Sequence, residues 1–415
     1  MNHRVEGIWR DVRVTSARGI FTALLSRLDY GTLELTEGDR SRVFGDDRNG
    51  AIVASLVVHD ESFWPRILAH GSSGLGESYF LGEWESPDLV AVLELLARNL
   101  DRINRLSRLV TPLLNATSRT VRRITPSKTR DRENMAAHYD LGNDFFELFL
   151  DPTMAYSSAV FPTPESALEE GSSEKFDRLC RKLGLGANDH VVEIGTGWGG
   201  FALHAATHYG CRVTTTTISA KQFTYATRRV AEAGLAHLVT VLDHDYRDLE
   251  GQFTHLVSIE MIEAVDWRLY ETFFSACARL LAPDGRAALQ CIVIDDAEFE
   301  RYKTRSDYIR RHIFPGGGLP SISAMTNALA RATDLRLTDL EDLGAHYVRT
   351  LRLWRERLDA HAAAAHELGF DAQFLRKWRF YFAYCEVGFA ERQVSVVQII
   401  LARDDWRSSL TLRDS

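Results

Sequence analysis

The chain has 415 residues, 45% of them hydrophobic, 10% aromatic and 26% charged. At roughly 150 residues per domain this predicts two to three domains and excludes collagenous, low-complexity and disulfide-scaffold classes. Lys+Arg 49 against Asp+Glu 57 leaves a net charge of −8, so no global basic field points to nucleic acid. Cys180, Cys211, Cys277, Cys291 and Cys385 form no CxxC pair, so no metal site is expected. The N-terminus shows no signal-peptide pattern, and no stretch approaches the ~18 apolar residues of a spanning helix.

In chain order, residues 1–118 read as a small mixed α+β domain. Short apolar runs, Leu33-Glu34-Leu35 and Ala51-Ile52-Val53, alternate with turn residues at Gly31, Gly45 and Asn49-Gly50. Gly74 to Tyr79 and Gly82 to Glu85 follow, and Pro87-Asp88-Leu89 opens a helix expected to run through Leu100. No cluster in this stretch looks catalytic, which leaves it a scaffold or docking role.

Residues 119–132 read as a basic linker, the end of a longer asymmetric segment. Between Arg102 and Arg132 stand nine basic residues and one acid, Asp131, a local charge of nine minus one, or +8. Leu106, Leu109, Val110, Leu113 and Leu114 lie at near-helical spacing, with Pro112 and Pro126 as breakers. The segment is either a solvated connector or a patch for an anionic membrane surface, where each Lys or Arg is worth about 1 kcal/mol.

Residues 133–415 read as a large α/β domain, because strands and helices alternate as in a doubly wound parallel sheet. Strands are expected at 190–194, 212–217, 238–242, 255–258 and 286–294, the last after the turn Pro283-Asp284-Gly285. Helices are expected through 203–206, from Ser219, and over 270–281.

The first strand ends in Glu193-Ile194-Gly195-Thr196-Gly197-Trp198-Gly199-Gly200. Glycines there permit φ > 0 and a close backbone approach to a ligand; a tight structural turn is the plain alternative. A dinucleotide loop would read GxGxxG, with an acid about 20 residues on for the ribose. Here the spacing is GxGxGG, and Val213 to Thr217 contains no acid. A Glu two residues before the first Gly is the pattern of S-adenosylmethionine (SAM) methyltransferases. Thr217, Ser219 and Gln222 can hold a ribose without a carboxylate. Tyr246, in Asp245-Tyr246-Arg247-Asp248, can flank an adenine or be a core aromatic.

Together these residues resemble the cyclopropane-fatty-acyl-phospholipid synthases and the related mycolic acid and fatty-acid methyltransferases, over about residues 74 to 402. The resemblance is carried by His138 to Phe146, Met154 to Ala159, Glu193 to Gly200, and Ser258 to Val265. It continues through Tyr308-Ile309, Ile313 to Gly317, Leu319 to Ser321, His346-Tyr347 and Phe380 to Phe389. It implies a class I SAM-methyltransferase (Rossmann-like) domain behind the small mixed domain. It also implies a reaction: the SAM methyl goes to a cis double bond of an unsaturated phospholipid acyl chain, and proton loss from that methyl closes a cyclopropane.

SAM contacts carried over by the resemblance and the loop are Tyr156, Ser157, Glu193, Gly195, Gly197, Gly199, Thr217, Ser219, Gln222, Tyr246 and Arg247. In the family a bound bicarbonate takes the final proton, and its positions correspond to Ser158, Glu263, Gln290, Tyr381 and the backbone of Ile292. The plain alternatives are a helix N-terminal acid for Glu263 and a core tyrosine for Tyr381. An alkene needs no activation, but the cation needs water excluded and aromatic faces near it. Phe161, Tyr302, Tyr308, Phe314, Tyr347, Phe380, Tyr381 and Tyr384 are candidates. Gly316-Gly317-Gly318 suggests a flexible element near the acyl channel.

Two positions depart from the best-known members: Ser158 stands where Cys is usual, and Gln290 where some members carry His. Both can hydrogen-bond an anion, yet neither brings a thiolate or an imidazole. A methylene- or methyl-branched product, or a non-catalytic lipid-binding paralogue, are therefore the alternatives to a ring. The expected location is cytoplasmic, peripheral to the inner face of an anionic membrane. No nucleic acid partner is expected, and a homodimer is a further expectation.

Overall fold

The computed structural model describes residues 2–46, 52–100 and 141–403. The basic segment Arg102–Arg132 and residues His138 to Asp140 of the first family motif lie outside the described residues. The chain divides into two compact units that interleave along the sequence. One is Met1–Arg123 with Arg305–Ile313 and Leu358–Glu391; the other is Ile124–Thr304 with Phe314–Arg357 and Arg392–Ser415. The division in space thus differs from the three consecutive blocks expected at 1–118, 119–132 and 133–415.

The first unit holds a four-stranded sheet of β1 (Thr32–Glu37), β2 (Arg40–Gly45), β3 (Val53–Val58) and β4 (Trp84–Glu85), in the order β2-β1-β3-β4. Alternation along β3 turns Ala54, Leu56 and Val58 inward, the two-residue period of a half-buried strand. Asp88 caps the helix Leu89–Arg98 by accepting from Ala91 N at 3.0 Å. That helix stops short of Leu100 because Asn99 turns its amide to other work: Oδ1 accepts from Asp29 N at 2.9 Å, and Nδ2 donates to Leu95 O at 2.8 Å. Gly74 to Tyr79 lie within the helix Ser72–Phe80. The helix Ala372–Ala390, from the far end of the chain, packs on it so closely that a Cβ at Gly76 would fall 2.4 Å from Tyr308 and 2.7 Å from Phe380.

The second unit is built on seven strands: β5 (His190–Ile194), β6 (Arg212–Thr217), β7 (Val239–Asp243), β8 (Phe253–Ile259), β9 (Leu281–Ile294), β10 (Arg336–Asp342) and β11 (Val394–Ala402). Their order is β10-β11-β9-β8-β5-β6-β7. The pairs β5–β6, β5–β8, β6–β7 and β8–β9 are parallel, and β11 is antiparallel to β9 and β10. This is the doubly wound fold read from the sequence. The expected strand over 286–294 begins earlier, at Leu281. Pro283-Asp284-Gly285 is an irregularity inside β9, where the register with β8 jumps between Phe253 and His255. Gly285 permits it, since a Cβ there would lie 2.8 Å from Thr254 O.

Apolar clusters cover both faces of the sheet. One joins Phe273, Leu280, Leu289 and Val397; the other joins Leu179, Phe201, Val213 and Ala288. The chain leaves β5 for β6 on one side and returns to β8 on the other. The crevice at the carboxyl ends of these strands is where such sheets bind ligands.

Candidate active site

The Gly-rich turn joins β5 to the helix Gly200–Tyr209. Gly195 and Gly197 have φ of 101° and 53°, conformations that side chains strain to adopt. Thr216 O on β6 accepts from both Gly195 N and Thr196 N, at 3.1 and 3.0 Å. A Cβ built on Gly197 meets no protein atom within 4 Å, so the turn offers an open backbone edge that fits the close approach of SAM. Beneath it Glu193 accepts from Thr215 Oγ1 at 2.6 Å. Burial pushes its carboxyl up to about 8, with the Thr215 bond pulling the other way.

The other residues assigned to SAM surround the carboxyl ends of β5, β6 and β7. Thr217 Oγ1 donates to Gln222 Oε1 at 2.9 Å, and Ser219 caps the helix Ala220–Glu232. Gly199, at φ 86°, caps the helix that follows the turn. Tyr246 meets Phe273 edge-on at 5.6 Å and packs against the core; Arg247 pairs with Asp245 at 2.6 Å. Tyr246 therefore combines a core contact with a half-buried ring.

Tyr156 lies among aromatic rings: Trp354 at 5.2 Å, Phe146 at 5.3 Å and Phe314 at 6.2 Å. Phe146 in turn meets Trp198 of the Gly-rich turn at 4.9 Å, and Trp354 meets Tyr347 at 6.0 Å. Phe314 and Tyr347 were expected near the cation; Phe146, Trp198 and Trp354 extend the set. Ser157 Oγ accepts at 2.6 Å from Lys175 Nζ. Lys175 is fully buried. Burial pushes its ammonium down to about 8, against the attraction of Glu260 and Asp151. The sequence reading missed it, although it stands in the buried stripe Leu168, Ser172, Phe176, Leu179 and Leu183 of one helix. A lysine in such a stripe needs a partner.

Ser158, Gln290, Ile292 and Glu263 are brought together, but around a residue not singled out in the sequence, Glu260. Its Oε1 accepts from Ser158 N and from Gln290 Nε2, both at 2.8 Å, and its Oε2 accepts from Tyr347 Oη at 2.8 Å. Its φ is 49°, a conformation costing a non-glycine residue about 1–2 kcal/mol. Burial raises its carboxyl, while Gln290, Lys175, Ser158 N and Tyr347 hold the rise back. Three residues on, Glu263 Oε1 accepts from Ile292 N, and its buried Oε2 has no hydrogen-bond partner among the described residues. Burial, and then the Glu260 charge, push the Glu263 carboxyl up to about 8. Gly318 N donates to Glu263 O at 2.8 Å, so the glycine segment is tied to the site.

Three of the groups assigned to bicarbonate, at Ser158, Gln290 and Ile292, are engaged within the protein. Ile292 N is taken by Glu263. Ser158 Oγ donates to Ala159 O at 3.0 Å, and Gln290 Oε1 accepts from Gln398 Nε2 at 3.0 Å. Tyr381 belongs to the first unit, buried against Trp378 at 5.6 Å. Three of the expected positions, Ser158, Gln290 and Ile292, thus do not fit a bicarbonate cradle, because Glu260 and Glu263 already use their donors. Among the remaining aromatic candidates, Tyr308, Phe380 and Tyr384 pack together in the first unit.

Residues 126–399 match the profile of the mycolic acid cyclopropane synthetase family. The chain is 40% identical over 364 residues to tuberculostearic acid methyltransferase UfaA1 of Mycobacterium tuberculosis, covering 84% of this chain and 83% of that protein. It is 34% identical over 358 residues to the cyclopropane-fatty-acyl-phospholipid synthase of Escherichia coli K12, covering 86% and 89%. The solved structure of mycolic acid cyclopropane synthase CmaA1 with SAH and CTAB superposes with a TM-score of 0.61 at 30% identity, covering 68% of this chain and 99% of that one.

Proposed function

From its membership of the mycolic acid cyclopropane synthetase family, as a SAM-dependent methyltransferase, we propose that the chain transfers the SAM methyl carbon to the cis double bond of unsaturated phospholipid acyl chains. The observation that carries this is the run of rings from Trp198 through Phe146, Tyr156 and Trp354 to Tyr347, ending on the Glu260 carboxylate. It joins the open glycine turn to a pair of buried carboxylates. Bound SAM supplies a methyl on a sulfonium, an electrophile strong enough for an alkene.

The protein's part is position, dryness and charge. Gly195, Gly197 and Gly199 let the cofactor lie against backbone. Tyr156 and Ser157 would also hold the cofactor, and Thr217, Ser219 and Gln222 would present polar atoms for its ribose. The rings of Tyr156, Phe314 and Trp354 stand together and would stabilise a cation held against their faces, by up to about 2 kcal/mol each when desolvated. Glu263 and Glu260 offer negative charge for the departing proton. Bicarbonate does not fit the engaged donors, so no step is assigned to it.

A ring closes when the proton leaves the delivered carbon. A second reading, a methylene- or methyl-branched product, is favoured by Ser158 and Gln290 in place of Cys and His. It is favoured too by the 40% relative, whose name speaks of a methyl delivered rather than a ring. The acyl chains are proposed to be met at an anionic membrane surface, the basic segment Arg102–Arg132 supplying the attraction. Labelled SAM with oleoyl phospholipid, followed by mass spectrometry of fatty acid methyl esters, is expected to show a product one carbon heavier. NMR then separates ring from exomethylene, and absence of any labelled acyl product rejects the function.

A further inference from the structure

We propose that Glu263 Oε2 is itself the proton acceptor of this reaction, with Glu260 standing where an external anion would otherwise sit, so that the enzyme works without bicarbonate. This rests on the reading of methyl transfer to an alkene given above.

Three observations converge on it. First, Ser158 N, Gln290 Nε2 and Ile292 N are fixed on the two carboxylates, which leaves an added anion without these donors. Second, Glu260 keeps a left-handed backbone. Such strain persists where the surroundings over-determine it, and here Tyr347, Ser158 and Gln290 all hold the carboxylate. Third, Glu263 Oε2 is buried with no partner among the described residues. A carboxylate oxygen buried bare carries charge that no donor offsets, and the cost of that buried charge falls when the oxygen gains a proton.

Charge argues the same way. Glu260 already repels a second negative charge on Glu263, and a third anion beside them would raise that repulsion. Lys175 attracts Glu260, and the thiol of Cys291, pushed up by burial and by both carboxylates, stays protonated. In the step itself a substrate C–H bond breaks. Its electron pair becomes the new C–C bond of a ring or the second bond of a methylene. The proton forms an O–H bond at Glu263 Oε2, neutralising that carboxylate as the substrate cation is quenched.

The test has two arms. In the binding arm, carbon-13 bicarbonate is titrated into wild type and Glu260→Gly and followed by NMR line broadening. Glycine adopts the left-handed backbone freely, so this variant is expected to fold, and a thermal melt checks it. Wild type is expected not to bind, and Glu260→Gly to bind. In the turnover arm, assays run in carbon-dioxide-stripped buffer with and without added bicarbonate. Wild-type rates are expected to be equal. Glu260→Gly is expected to lose at least tenfold and to recover part of it with bicarbonate. The activity midpoint of Glu260→Gln is expected to move down by about one pH unit or more, because a neighbouring negative charge is gone. Wild type that binds bicarbonate and stalls without it, or a midpoint unmoved in Glu260→Gln, overturns the proposal. If wild type methylates no acyl chain, the functional reading fails, while the binding arm still decides whether the carboxylate pair excludes bicarbonate.

Discussion

Tyr347 donates its phenolic hydrogen to Glu260 Oε2 at 2.8 Å, and the same ring stands edge-on to Trp354, with an interplanar angle of 89°. One side chain thus ties the aromatic run to the carboxylate pair. A hydrogen bond to a charged group is worth about 1.5–3 kcal/mol. Tyr347→Phe is therefore expected to lower kcat by about 10- to 100-fold while changing the SAM Kd less than about twofold. Steady-state kinetics with calorimetric SAM titration check the split; equal losses in both would mean the hydroxyl serves cofactor binding.

At Gly197 two effects separate. Alanine there costs about 1 kcal/mol of backbone strain at φ 53°, and its methyl meets nothing in the protein within 4 Å. Gly197→Ala is expected to lower Tm by a few degrees yet to weaken SAM binding more than tenfold. Gly210→Ala, at φ 67° on the far end of the same helix, is expected to lose similar stability and keep its SAM affinity. Equal affinities in the two variants would move the cofactor away from the turn.

Glu193 links stability to pH. Burial pushes its folded carboxyl up to about 8 from the ordinary 4.5, so between these values the folded protein holds a proton that the unfolded chain has lost. The stability from this group is full below about 4.5 and is lost as pH rises through 8. Glu193→Gln removes that loss. In urea melts the variant is expected to gain on wild type between pH 5 and pH 9, by an amount of order 4 kcal/mol. A difference that stays flat with pH would show that the carboxylate does not resist ionisation.

Glu263 is expected to set the pH dependence of turnover. With its carboxyl at about 8, the ionised, proton-accepting form grows about tenfold per pH unit below that value. The kcat profile should climb toward pH 8 and then level. Glu263→Gln is expected to bind SAM normally and lose most product at every pH; unchanged turnover in this variant excludes its role.

The basic segment makes a prediction at the membrane. Replacing Arg119, Arg122 and Arg123 with Gln removes three charges worth about 1 kcal/mol each near an anionic surface. Vesicle sedimentation is expected to show roughly 100-fold weaker binding to phosphatidylserine vesicles. Wild-type binding should fall as salt shortens the screening length. Binding indifferent to salt would assign the segment to plain connection.

The alternation of β5 to β9 with their helices was legible because each element carries its own period, and the glycine turn because three glycines follow an apolar strand. The start of β9 was not: Pro283-Asp284-Gly285 is a local turn sequence that pairing with β8 draws into a strand. Lys175 lay in plain sight on a buried stripe, yet only the fold shows that Ser157 receives its ammonium. Glu260 lies inside the Ser258 to Val265 motif, but its left-handed backbone leaves no mark in the sequence.

The sequence by itself determined the sheet, the cofactor loop and the family, because these depend on local periodicity and on residue types at short spacing. Tertiary structure alone decided which residues share the site. Ser158, Glu260, Gln290 and Tyr347 lie up to 189 positions apart, and their hydrogen bonds form only when the strand ends converge. It also decided that helices from the C-terminal half join the N-terminal sheet in one compact unit, since burial of an apolar face is settled by whichever surface closes over it and not by order along the chain.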